Sequence, residues 1–155
     1  MVSRGTLETL MLSKQEVFDT TVKYLLTMKK PAVEGVSCRY RTSDGNKCAV
    51  GFWIPDDHPG VKEENLNISH LLMKWDEKSD YPLIPEIYEY SGLFYSLQVV
   101  HDNSTNWGPN GMNSRGVEAL KNITKYAGLE WNFENEFQAR KQETPETFVQ
   151  NLKNL

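Results

Sequence analysis

Along most of this chain, hydrophobic residues recur every three or four positions, the period of an amphipathic helix. Ser13 precedes the first such stripe and Glu16 follows three residues later, which predicts an N-cap with a capping box. Phe18, Val22, Leu25 and Leu26 then give that helix one apolar face, and Lys29, Lys30 and Pro31 end it. Ile68, Leu71, Leu72 and Trp75 predict a short second helix running to about Asp76. Pro85 suits the first turn of a third, whose stripe is Ile87, Tyr90, Phe94, Leu97 and His101, widened by Leu93 and Val100. This is the longest apolar stripe and predicts the central helix. A fourth begins near Ser114, carries Val117, Leu120, Ile123 and Ala127, and stops at Gly128. Trp131, Phe133 and Phe137 form an aromatic cluster, and Thr144-Pro145 opens a last helix bearing Phe148, Val149, Leu152 and Leu155. Residues 1–12 lack periodicity and read as a mobile leader; 129–155 reads as a C-terminal helical extension.

One stretch, 37–59, breaks the helical period. Cys38 and Tyr40 alternate with Arg39 and Arg41, as a half-buried strand requires, and Asp44-Gly45 supplies a two-residue turn. That register sets Thr42 opposite Lys47 and Arg41 opposite Cys48. The return run from Cys48 to Ile54 is almost continuously apolar, predicting a strand covered on both faces, which Pro55 terminates. An isolated hairpin is marginal, so helices must support it. The fold class that follows is α+β: a mostly helical single domain, 1–155, with a small antiparallel β-hairpin or sheet.

Composition narrows the function classes. A chain of 155 residues with 39% hydrophobic and 25% charged residues has enough apolar material for one core. A net charge of −4 provides no general attraction to nucleic acid, so a nucleic-acid partner is not expected. No apolar run reaches the roughly 18 residues that suggest a membrane span. The first twelve residues lack the apolar core of a signal peptide, so a cytoplasmic protein is expected. Two cysteines in such a compartment read as free thiols, and the three Asn-x-Ser/Thr matches as chance.

Candidate chemistry clusters around the hairpin and the end of the third helix. Arg39, Tyr40, Arg41 and Lys47 could cradle a small anionic ligand, because guanidinium groups bind phosphate in a forked geometry and tyrosine stacks on a base. A solvated, charge-paired strand face is the plain alternative. Trp107 stands in a polar loop, 103–113, where an exposed indole would anchor a protein partner. Cys48, His101 and Asp102 supply the residue types of a thiol nucleophile, its base and an orienting carboxylate. Adjacent helical side chains diverge by about 100°, however, so His101 and Asp102 are not expected to meet. Asp56, Asp57 and His58, with His101, offer oxygen and nitrogen donors for a divalent metal, although no recognised ligand spacing is present.

The combination Cys38-Arg39-Tyr40-Arg41, Gly45, Lys47-Cys48-Ala49-Val50-Gly51 and Ile54-Pro55-Asp56-Asp57 resembles a pattern in small uncharacterised proteins of tailed phages and bacteria. A leading Gln15–Asp19 segment and a Leu-Gln-x-x-His-Asp stretch at 97–102 extend the resemblance over about 13–128. It implies a phage-type accessory protein working inside a bacterial host cell. It implies no activity. The expected function is therefore non-enzymatic and cofactor-free: binding a host protein or sequestering a small anionic ligand. The alternative is a small enzyme using Cys48, His101 and Asp102, or a metal held by the Asp56-Asp57-His58 cluster.

Overall fold

The computed structural model describes residues 11–34, 37–62 and 67–142, with the side chains of Ser37 and Cys38 left aside. It is α+β and mostly helical. Helix α1 spans Lys14–Thr27, and Ser13 Oγ accepts from the Glu16 amide at 3.1 Å, as the capping pattern predicts. Its buried face is Val17, Phe18, Thr21, Val22 and Leu25. Leu12, just before it, already packs on the core, and its carbonyl accepts from the Tyr90 hydroxyl at 2.9 Å. The leader expectation therefore does not reach Leu12; residues 1–10 lie outside the described residues.

Strands β1 (Val33–Glu34) and β2 (Ser37–Cys38) pair antiparallel, with Val33 opposite Cys38. This ladder replaces the expected one. The chain does fold back after Arg41, but through a five-residue loop, with a single bridge between Arg41 and Lys47. Thr42 N–H donates to Asn46 O at 2.9 Å and Gly45 N–H to Thr42 O at 3.0 Å, while the Thr42 hydroxyl binds Asp44. Side-chain bonds of this kind favour a tight polar loop over a two-residue turn. The run 47–54 is not a strand: 48–50 turns and Gly51–Trp53 is one turn of 3-10 helix.

Helix α2 is Ile68–Lys74, capped by the Asn67 side chain on the His70 amide. The stripe from Pro85 to His101 divides into α3 (Pro85–Glu89) and α4 (Ser91–Asp102), with Tyr90 out of helical geometry between them. The bend is tied down by the Tyr90 hydroxyl on Leu12. Helix α4 is central as expected: Leu93, Phe94, Leu97, Val100 and His101 are buried, and α1, α2, α3 and the following helix all pack on it. The 103–113 segment contains a 3-10 turn, Ser104–Asn106, and a hairpin of β3 (Trp107–Gly108) with β4 (Gly111–Met112).

Helix α5, Ser114–Ala127, starts with the Asn113 side chain on the Gly116 amide and ends at Gly128 with φ +69°. Helix α6, Glu134–Lys141, packs back on α5. Trp131 meets Phe18 edge-on, and Gln15 exchanges two hydrogen bonds with the Glu130 backbone, at 2.9 and 3.0 Å. Arg140 donates to Leu26 O and Met112 O, both at 3.2 Å. The first part of the expected extension is thus stitched to α1 and β4. The helix expected from Thr144 lies outside the described residues.

Candidate functional site

The last turn of α4 gathers a connected set of polar side chains. His101 is fully buried, and its Nε2 accepts from the Ala32 amide at 3.0 Å. That fixes the imidazole proton on Nδ1, which donates to Asp102 Oδ1 at 2.8 Å. His101 and Asp102 do meet, contrary to expectation, because Asp102 is the last helical residue and Asn103 already has extended backbone. Gln98 Nε2 donates to the same Asp102 oxygen at 2.7 Å, and its Oε1 accepts from the Val50 amide at 3.0 Å. Trp107 Nε1 donates to the His101 carbonyl at 2.8 Å, with its ring edge-on to the imidazole. One helix end thereby joins the Ala32 turn, the 48–51 turn and the β3–β4 hairpin.

Cys48 lies within reach of this network but not as a nucleophile. It is fully buried, the Gly51 amide donates to its Sγ at 3.2 Å, and burial pushes the thiol up to about 12. The nearby Asp102 carboxylate acts in the same direction. The sole acceptor nitrogen of His101 is already taken by a backbone amide, so it has no lone pair to remove a thiol proton. Cys48, His101 and Asp102 gather in space as a structural cluster and lack the geometry of a catalytic one. In a Cys38→Ser background, Cys48 should be silent to an aromatic disulfide reagent at pH 8 and titrate fully after unfolding in urea. Rapid modification of the folded protein would contradict this placement.

The anion cradle is corrected at two positions. Tyr40 is only 5% exposed and has no open ring face for a base. The Arg41 side chain is 15% exposed; its Nη1 pairs with Asp56, and its Nη2 donates to Gly51 O at 3.1 Å and Ile54 O at 2.9 Å. Arg41 therefore staples the 3-10 turn to the loop and is already neutralised. Lys47 has both backbone groups held by the Tyr24 hydroxyl, each at 3.0 Å. Arg39 is half-buried, and its amide donates to Ala32 O at 2.9 Å.

The metal alternative does not fit the geometry. His58 is buried: Nδ1 accepts from the Gly60 amide at 2.9 Å and Nε2 donates to Tyr81 O at 2.7 Å, leaving no nitrogen for a metal. Asp56 serves Arg41, Asp57 is exposed, and His101 is spent on Ala32 and Asp102. No group of three or more metal-ligating side chains is placed to hold an ion among the described residues. Trp107 is half-buried, with its indole nitrogen bonded.

The side chains left outside are of another kind. Tyr126 is 89% exposed and Met73 75%, followed by Tyr81, Tyr95 and Val99, each about half exposed or more. None was singled out from the sequence. Tyr95 and Val99 are separated by one helical turn on the outer side of α4, a signal that was present in the spacing. Gln98 was legible too, since it stands one turn before Asp102.

No family model, curated protein or solved structure matches this chain. Among the described residues, no helix is long and apolar enough to cross a membrane.

Proposed function

We propose that the protein is a non-enzymatic binding factor that engages another protein through large side chains left outside its core. One observation carries this. The groups able to perform chemistry at the end of α4 are consumed by internal hydrogen bonds, whereas Met73 and Tyr81 stand in solvent at the α2 end of the molecule. Tyr81 follows a charged connection in which Asp76, Glu77 and Asp80 are exposed against the exposed Lys74 and Lys78, so the surface pairs aromatic and thioether contact with mixed charge and a small negative excess. A partner surface that offers an apolar pocket rimmed by a basic residue would complement it. The resemblance of the 38–57 block to phage-type proteins supports a bacterial host protein as that partner, with the protein acting as an accessory factor in the host cytoplasm. Sequestration of a small anion is less favoured, since Tyr40 and Arg41 are committed elsewhere.

The test is affinity capture from bacterial lysate, followed by binding measurements with the purified captured protein. Met73→Ala with Tyr81→Ala should weaken binding by about tenfold or more, and raised salt should slow association. Met73 is mostly exposed, while the Tyr81 ring meets buried His58 edge-on, so thermal unfolding should first show that the double variant keeps the wild-type fold. A partner whose affinity ignores both substitutions and salt would refute this surface.

A further inference from the structure

Where the end of α4 meets the start of α5, the molecule holds a cavity of about 320 Å³, at the lower end of the range for small-molecule sites. Val99 and Ala119 give it apolar walls, and Asn106, Arg115, Glu118 and Asn122 give it polar ones. Asn106 is the decisive member. It is only 4% exposed, and its Nδ2 donates to Val100 O at 3.0 Å. That bond fixes which way the side-chain amide points, so Oδ1 is turned away from Val100. Among the described residues no group donates to Oδ1, and this oxygen is not sealed inside the fold. Because Asn106 lines the cavity, a buried acceptor faces it without a partner. An acceptor so placed is costly until a donor reaches it.

Charge around the cavity is bipolar. Helix α4 ends there, with the negative end of its dipole, and α5 begins there, with the positive end. Arg115 stands in the first turn of α5, where a cation opposes the helix's own dipole, so helix stability does not account for it. Glu118 follows one turn later. Both side chains are exposed, and neither makes an ion pair or a hydrogen bond among the described residues. The cavity therefore offers a guanidinium and a positive helix end to an anion, and a carboxylate and a free carbonyl oxygen to a cation.

We propose that this cavity binds a small zwitterion, a free amino acid with an aliphatic side chain. Arg115 and the start of α5 take the carboxylate, as helix N-termini and guanidinium groups do. Glu118 and Asn106 Oδ1 take the ammonium group, which supplies the donor that Asn106 lacks. Val99 and Ala119 receive the aliphatic side chain. Ligands of one charge fit less well, since Glu118 repels a phosphate and Arg115 repels a simple cation. This inference does not depend on the Met73–Tyr81 surface, which is built from other elements.

Isothermal titration calorimetry of the full chain with L-alanine, L-valine and L-leucine tests it. At least one should bind saturably, with a dissociation constant below about 1 mM. Arg115→Ala and Glu118→Ala should each weaken that binding by about tenfold or more. Both positions are exposed, and thermal unfolding of each variant checks that the fold is kept. Ala119→Phe, which fills the cavity, should abolish binding. Blocked ligands read the two charges separately: the N-acetylated and the C-amidated forms of the same amino acid should each bind about tenfold more weakly or worse. Absence of binding by all three amino acids at about 10 mM overturns the proposal. So does binding that ignores Arg115 and Glu118, or blocked forms that bind as well as the free one. Inorganic phosphate and glucose are the remaining arms, and a cavity that takes either of them in place of the amino acids refutes the zwitterion.

Discussion

Replacing His101 by alanine should destabilise the protein by about 3–5 kcal/mol, the largest loss expected from a single polar residue in the described structure. The imidazole is fully buried, so its removal opens a cavity at the end of the central helix beside the Trp107 ring. It also strips the Ala32 amide of its acceptor and Asp102 of a donor. A buried amide without a partner costs about 1–3 kcal/mol by itself, and the cavity adds a comparable amount. For a chain of this length, 1 kcal/mol corresponds to about 2–4 °C, so the melting temperature should fall by about 10 °C. His101→Gln should recover part of the loss if its amide oxygen reaches the Ala32 N–H. Urea denaturation measures both variants. A stability change under about 1 kcal/mol for His101→Ala would sink the structural role assigned to this residue and reopen the catalytic one.

How much of this was legible in the sequence depends on the kind of signal. Helices α1 and α5 were readable because periodicity and chemical stops coincide: Ser13 at one start, Gly128 at one end. The division at Tyr90 was not, because apolar spacing continues through a bend of the axis, and the bend is held by Leu12, 78 positions away. The run Cys48–Ile54 misled for a physical reason. A continuous apolar run reports burial on all sides, and a compact turn satisfies that as well as a strand does. Gly51 within it was the clue to close backbone approach.

The candidate site divides in the same way. Residue types at 97–102 marked the right place, and that segment is the polar hub of the fold. What the types do there is set by the partners of each nitrogen and oxygen, which sequence cannot give. Ala32 decides that His101 is not a base, from 69 positions away. Tyr126 was readable from spacing alone. Its position off the Val117, Leu120, Ile123 and Ala127 stripe already set it outside the apolar face, and the structure leaves it 89% exposed.

Gly51→Ala should be the most damaging of the conservative changes, at about 3 kcal/mol or more, although it adds one methyl group. That methyl would stand 1.8 Å from the Tyr40 carbonyl oxygen and 2.7 Å from its carbon, and backbone cannot swing aside as a flexible side chain can. The Tyr40 carbonyl also receives the Cys48 amide at 3.4 Å, and the Gly51 carbonyl receives Arg41 Nη2. Pushing the two segments of chain apart would therefore loosen the Arg41 staple as well. Gly45→Ala, six residues earlier, is the control. Its Cβ meets nothing within 4 Å, but φ is +88°, so the cost is conformational, at about 1–2 kcal/mol. Thermal unfolding of both variants should give the larger drop at residue 51, together with exposure of Cys48 to thiol reagents at temperatures where the Gly45 variant still protects it. Equal drops, or a Gly51 variant with its thiol still sealed, would mean that the turn and the loop are not packed backbone to backbone.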